Sequence, residues 1–260
     1  MYAFDFERPS TVADAVAALS AEDAQALSGG QTLIPTLKQR LASPSKLVSL
    51  GGIAELQGIT SDGDAVTIGA GTTHAAVAAD GSIPALSALA GNIGDPAVRN
   101  RGTIGGSLAN NDPAACYPSA ALGLGATIVT NAREIVADDF FQGLFTTALD
   151  EGEIITAVRF PKPQAANYQK FEQPASRFAL VGVFVAKGAD GVRVAVTGAS
   201  EDGVFRWSEA EAALGSNFSA GALDGMAPPA DGMISDLHGS AAYRANLVGV
   251  MTRRAVAAAG

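Results

Sequence analysis

Ser28-Gly29-Gly30-Gln31-Thr32-Leu33 stands between two patterned segments. Before it, Ala24 to Leu27 reads as a short strand. After it, Leu33 to Leu41 reads as an amphipathic helix, with Lys38 and Arg40 near its C-terminal end, where cations suit the helix dipole. Two successive glycines permit close backbone approach and positive φ. The helix start that follows offers unpaired N–H groups and the positive end of a dipole. Such a turn can hold a phosphate without Lys or Arg. Read alone, it can also be an ordinary tight turn.

A second stretch changes the balance. Gly102-Thr103-Ile104-Gly105-Gly106-Ser107 follows about 75 residues later, with Asn110, Asn111 and Asp112 close behind. It reads as another glycine-rich loop. Thr103, Ser107 and the Asn side chains add hydrogen-bonding groups, and Asp112 can accept from sugar-like hydroxyls. Two such loops can pinch one diphosphate between two subdomains, so together they read as a dinucleotide site.

Working outward, Tyr2, Phe4 and Phe6 alternate as a strand would. Ser10 or Thr11 can cap a helix from Val12 to Ser20, and Lys46 to Leu50 reads as a strand. Two strands flank the Asp62-Gly63-Asp64 turn, Thr72 or Thr73 can cap a helix through Val77, and residues 84–93 read as another helix. A helix over Ala114 to Leu122, a strand over Ala126 to Thr130 and a strand over Ile154 to Phe160 complete this pattern, which Pro161 and Pro163 end. Beyond lies an antiparallel meander: Tyr168 to Glu172, Phe178 to Ala186 and Val192 to Thr197. Helices follow at Ser208 to Leu214 and Tyr243 to Ala258.

Composition narrows the chemistry. The 260 residues carry 26 acidic and 17 basic side chains, a net charge of −9. That argues against sequence-independent nucleic-acid binding, which needs a positive field. One Cys, Cys116, makes no internal disulfide and holds no Cys-ligated cluster, and two His, His74 and His238, fall short of a usual zinc site. There is no GxSxG, no GxxxxGK[ST] and no GxGxxG after a strand. Reactivity is therefore expected to come from something bound. The opening MYAFDFERPS lacks signal-peptide character, and the longest apolar run, Phe178 to Ala186, is half a membrane span. The expectation is a soluble, cytoplasmic protein without a transmembrane segment. Cys116 reads as a small buried residue near a helix start, where its thiol pKa could be lowered; His74 reads as structural, His238 as solvated and Trp207 as a packing anchor.

These residues also carry a resemblance. Gly29 to Pro35 (GGQTLIP), Asp95 to Gly106 (DPAVRNRGTIGG), Asn110 to Pro113 (NNDP) and the terminal Tyr243-Arg244 to Ala255 pattern resemble the medium, FAD-binding subunit of molybdenum hydroxylases. That family includes the carbon monoxide dehydrogenase medium subunit and the flavin domain of xanthine dehydrogenase. The resemblance spans essentially the whole chain. It implies an α+β fold: a PCMH/VAO-type FAD-binding domain in two subdomains, 1–52 and 53–163, then a small C-terminal domain, 164–260, with a three-stranded antiparallel sheet and helices. It implies FAD here, with the molybdenum cofactor and [2Fe–2S] clusters confined to large and small partner subunits, assembly as a dimer of heterotrimers, and an external electron acceptor. A free-standing flavin oxidoreductase of the same fold is the alternative. By position, Leu27 to Ile34 and Thr103 to Ser107 would wrap the diphosphate and Ile93 would line the pocket. Ile155 (or Ile154) and Lys170 would touch the flavin, and Phe178 would cover its ring. Cys116 stands where many relatives have Asp, which leaves Asp112 as the remaining ribityl acceptor. Phe178 stands where the carbon monoxide enzymes place Tyr, keeping an apolar shield without the hydroxyl.

Overall fold

The computed structural model describes residues 1–259. Its first layer is a three-stranded parallel sheet, β1 (Asp5–Glu7), β2 (Ala24–Leu27) and β3 (Lys46–Ser49), ordered β1-β3-β2. Its crossovers are α1 (Val12–Leu19) and α2 (Leu33–Lys38). Thr11 caps α1 by accepting the Asp14 amide at 3.1 Å. The strand expected around Tyr2, Phe4 and Phe6 is reduced to β1. The helix expected to reach Leu41 stops at Lys38: Arg40 takes a left-handed φ of 60°, and the Leu41 amide returns to the Thr36 carbonyl at 3.1 Å.

The second layer is an antiparallel sheet ordered β4-β5-β10-β6-β7. Its strands are β4 (Ile59–Asp62), β5 (Ala65–Gly69), β6 (Thr127–Thr130), β7 (Glu134–Val136) and, after a two-stranded ribbon of β8 (Phe141–Gly143) and β9 (Thr146–Thr147), β10 (Ile155–Pro161). Between β5 and β6 run α3 (His74–Asp80), α4 (Pro84–Gly91), α5 (Pro96–Arg99), α6 (Ile104–Asn110) and α7 (Tyr117–Leu124); α8 (Ala137–Phe140) follows β7. Two expectations shift here. The second glycine stretch is a helix rather than a loop, because Thr103 Oγ1 accepts the Gly106 amide at 3.2 Å and starts α6. The helix expected from Ala114 begins at Tyr117, because Asp112 takes the Ala114 amide at 2.8 Å and holds a turn.

The third sheet holds β11 (Ala165–Glu172), β12 (Ala179–Gly188), β13 (Gly191–Ser200) and β14 (Gly203–Arg206), followed by α9 (Ser208–Ser216) and α10 (Ala241–Ala259). It has four strands, not three: β14 pairs with β13 as a short edge that carries little periodic signal. β12 is apolar from Ala179 to Ala186 because both faces are buried there. Phe184 and Ala186 join the core built on α7 and the second sheet, while Val183 and Val185 join a second core with α9 and α10. Gly123 lets α7 lie this close, since a Cβ there would sit 2.8 Å from Phe184 Cδ1.

Candidate functional site

The two glycine stretches meet. Ser28 Oγ and Thr103 Oγ1 share a hydrogen bond of 2.8 Å across 75 residues of sequence. The glycines act in different ways. Gly30 has φ +76°, a left-handed conformation that turns β2 into α2. Gly29 is a point of closest approach: a Cβ there would lie 2.1 Å from the Arg101 carbonyl oxygen. Gly105 likewise leaves no room against Ala70, at 2.5 Å, and Gly106 none against Thr103 Oγ1, at 2.9 Å.

The donors are also unequal. Among the described residues, the amides of Gly29, Gly30, Gln31 and Thr32 have no acceptor in the protein. The amides of Ile104, Gly105, Gly106 and Ser107 are all spent, on Thr72 O, Ala70 O, Thr103 Oγ1 and Thr103 O. So the first stretch offers an anion cradle of backbone N–H groups, and the second closes it with hydroxyls.

Beneath lies a cavity of about 630 Å³, within the range of small-molecule sites. Its wall includes Leu27 to Leu33, Ile93, Gly102, Thr103, Gly105 to Ser107, Asn110, Asp112, Cys116, Ile154, Ile155, Lys170 and Phe178. Two expected residues are not on it. Ile34 folds back under the loop, its Cδ1 2.6 Å from where a Gly30 Cβ would stand. Ile104 is wholly buried in the core. The wall also carries residues the motifs did not mark, among them Gln25, His74, Glu153 and Arg177. No spacing rule in the sequence brings these four together, although His74 follows a capping Thr and could have been suspected on that ground.

Polar groups around the cavity are held firmly. Lys170 Nζ donates to Asn92 O at 2.5 Å and Arg177 O at 2.9 Å, and stands 4.0 Å from Cys116 Sγ. Burial pushes the Cys116 thiol up and nearby Lys170 pulls against it, so the lowered pKa expected of a helix-start thiol gives way to burial. Arg99 donates to Ile93 O at 3.1 Å and Gly94 O at 2.9 Å, a structural role without a carboxylate partner. Asn111, turned left-handed, faces away and holds the β8–β9 ribbon through Gly143 O and Thr146 O, both at 2.8 Å. Glu153 accepts from Arg133 Nε (3.1 Å) and Nη2 (2.9 Å), the Asp150 amide (2.8 Å) and Thr130 Oγ1 (2.6 Å). The Arg133 bonds hold its carboxyl down to about 2. His74 is pushed down to about 4, first by burial and then by Arg99.

These two shifts give separate acid limits. His74 is neutral when folded and protonates near 6.5 when unfolded, so folding becomes less favourable as pH falls from about 6.5 to about 4. Glu153 lowers stability further as pH falls from about 4.5 toward about 2. The midpoint of urea unfolding of the cofactor-free chain is expected to start dropping below about pH 6.5. In His74→Gln that first drop should flatten, leaving the lower one.

Residues 2–163 match the family model described as the FAD binding domain in molybdopterin dehydrogenase. The chain belongs to that family. The likeness extends beyond the matched domain. The chain is 36% identical to the carbon monoxide dehydrogenase medium chain of Afipia carboxidovorans, over 97% of this chain and 95% of that relative. It is 37% identical to the nicotine 6-hydroxylase medium subunit of Paenarthrobacter nicotinovorans, over 99% and 98%. Solved quinoline 2-oxidoreductase from Pseudomonas putida 86 superposes with a TM-score of 0.88 at 30% identity, covering 99% of this chain and 97% of that one. The chain is thus an FAD-binding medium subunit of the molybdenum hydroxylases, an oxidoreductase component. The site suits FAD on its own terms: free amides for a diphosphate and an apolar flank at Leu27, Ile93, Ile154, Ile155 and Phe178. No helix among the described residues is long and apolar enough to cross a membrane.

Proposed function

We propose that this chain is the electron-transfer subunit of a heterotrimeric molybdenum hydroxylase. It takes electrons from [2Fe–2S] clusters of a small subunit and passes them to an external acceptor. Substrate is oxidised at the molybdenum cofactor of a large subunit, and two heterotrimers associate in the cytoplasm. The carrying observation is the set of four unspent amides at Gly29 to Thr32, residues that line the 630 Å³ cavity together with the second stretch. An acidic chain can hold a diphosphate this way without a basic patch.

In this reading the Gly29 to Thr32 amides bind the diphosphate, and Ser28, Thr103 and Ser107 orient it. Asn110 and Asp112 accept from hydroxyls. Ile93, Ile154 and Ile155 exclude water from the ring, with Phe178 over it and Lys170 and Cys116 along its edge. FAD bound there exchanges electrons singly or in pairs, which suits a station between clusters and acceptor. None of these residues needs to act as a general acid or base. The division at 52 and 163 is part of the same proposal, supported by the three sheets falling on either side of those points.

The purified full chain is expected to show oxidised-flavin absorbance and to release one FAD per chain on denaturation. A colourless protein that takes up no added FAD would overturn the reading. The native complex is expected to contain iron and molybdenum. A chain that elutes alone from native extract would point to a free-standing flavoprotein instead.

A further inference from the structure

His74 is a buried titratable side chain on the cavity wall whose ring has neither a hydrogen-bond partner nor a task in the proposed function. It is 6% exposed. Its backbone is pinned: Thr73 caps α3, and the His74 amide donates to Gly102 O at 2.9 Å. Its ring is pinned too, tilted 50° against Tyr117 with centroids 5.3 Å apart. Yet no hydrogen bond among the described residues uses either ring nitrogen, and Nδ1 is fully buried without a partner. Nδ1 is enclosed by the protein, so the nitrogen left for a partner from outside the chain is Nε2, which is unpaired and not enclosed.

Gly102 shows which edge is offered. A Cβ at Gly102 would stand 2.5 Å from His74 Nε2 and 2.8 Å from Cδ2. Any other residue there would cover that edge. Gly102 has no positive φ to explain its lack of a side chain. Both residues line the cavity. Close by, Arg99 is committed to two carbonyls, and it carries no acceptor for the ring.

We propose that His74 is a cofactor-binding residue whose Nε2 hydrogen-bonds a polar atom of the bound flavin dinucleotide. Gly102 uncovers that nitrogen and Tyr117 holds the ring. Burial and Arg99 keep the imidazole neutral near pH 7, so Nε2 can donate or accept according to tautomer. The inference rests on the cavity being the FAD site.

The test is titration of the cofactor-free full chain with FAD, comparing wild type with His74→Phe, His74→Gln and His74→Asn. Phe keeps the ring against Tyr117 but has no nitrogen. Gln carries an amide near the Nε2 position, and Asn carries one nearer Nδ1. Phe and Asn are expected to raise the dissociation constant about tenfold, the upper range for one lost hydrogen bond. They should also shift the visible bands of bound flavin. Gln is expected to return affinity to within about threefold of wild type. A folded Phe variant with wild-type affinity and spectrum would overturn the proposal. Should the Phe variant not fold, wild-type affinity in the Asn variant would overturn it, and a tenfold loss there rescued by Gln would support it. If wild type itself takes up no FAD, the assignment of the cavity fails first.

Discussion

Gly29→Ala is expected to purify without flavin. The added Cβ would lie 2.1 Å from Arg101 O, 2.7 Å from Arg101 C and 2.8 Å from Gly102 Cα. All three are backbone atoms, so no side chain can swing away to relieve the contact. The turn after β2 and the segment before α6 must separate. That separation breaks the 2.8 Å bond between Ser28 and Thr103 and tilts the four free amides that follow. Overpacking of this kind costs about 1–3 kcal/mol, and here it falls on the point where the two halves of the anion cradle are registered. FAD content, read from absorbance against protein, should drop at least about tenfold, with a lower Tm for what remains. Gly51→Ala is the matched control: Gly51 has nothing within 4 Å of its Cβ position and no positive φ, and it should keep its flavin. A Gly29→Ala protein with full flavin content would refute the close-contact role.

The glycines were legible as a pair of motifs, but their division of labour was not. Sequence shows that Gly29-Gly30 can bend and approach; only the packing shows that Gly30 does the first and Gly29 the second. The second stretch reads as a loop because Gly105-Gly106 is a poor helix sequence. Thr103 as a cap and the tight contact with Ala70 outweigh that propensity. Local signals fixed elements whose ends are set locally, as with Thr11 before α1 or the turn at Asp62 to Asp64. They failed where the end is set by distant packing. β14 is paired only because β13 presents an edge, and β12 reads as one apolar run although its alternate residues serve two different cores. The same limit explains the missed wall residues. Gln25, Glu153 and Arg177 reach the cavity from three separate segments, and no spacing rule joins them.

Arg244→Leu is expected to lower the stability of the C-terminal half sharply and of flavin binding with it. Arg244 is 3% exposed at the start of α10. Its Nη1 donates to Leu180 O and Gly198 O, each at 2.8 Å, and its Nη2 donates to both oxygens of Asp236 at 2.9 and 2.8 Å. Leucine fills some of the volume but takes the side-chain donor from two buried carbonyls. Leaving a buried polar group unpaired costs about 1–3 kcal/mol, a large part of the ~5–15 kcal/mol that holds a domain folded. The effect reaches the cofactor because Gly198 is bonded in both directions. Its carbonyl is held by Arg244, and its amide donates to Pro113 O at 2.7 Å. Thr197 Oγ1 adds bonds to Pro113 O at 3.0 Å and Ala115 O at 2.8 Å. Those carbonyls belong to the segment that sets Asp112 and Cys116 on the cavity wall. Urea unfolding followed by far-ultraviolet circular dichroism and by flavin fluorescence should therefore show one shared transition, at a much lower urea concentration than wild type. Asp236→Asn should shift it less, since its side chain is 37% exposed and the two carbonyl contacts survive. An Arg244→Leu protein within about 1 kcal/mol of wild type would show that the buried guanidinium is not what ties the third sheet to the cofactor wall.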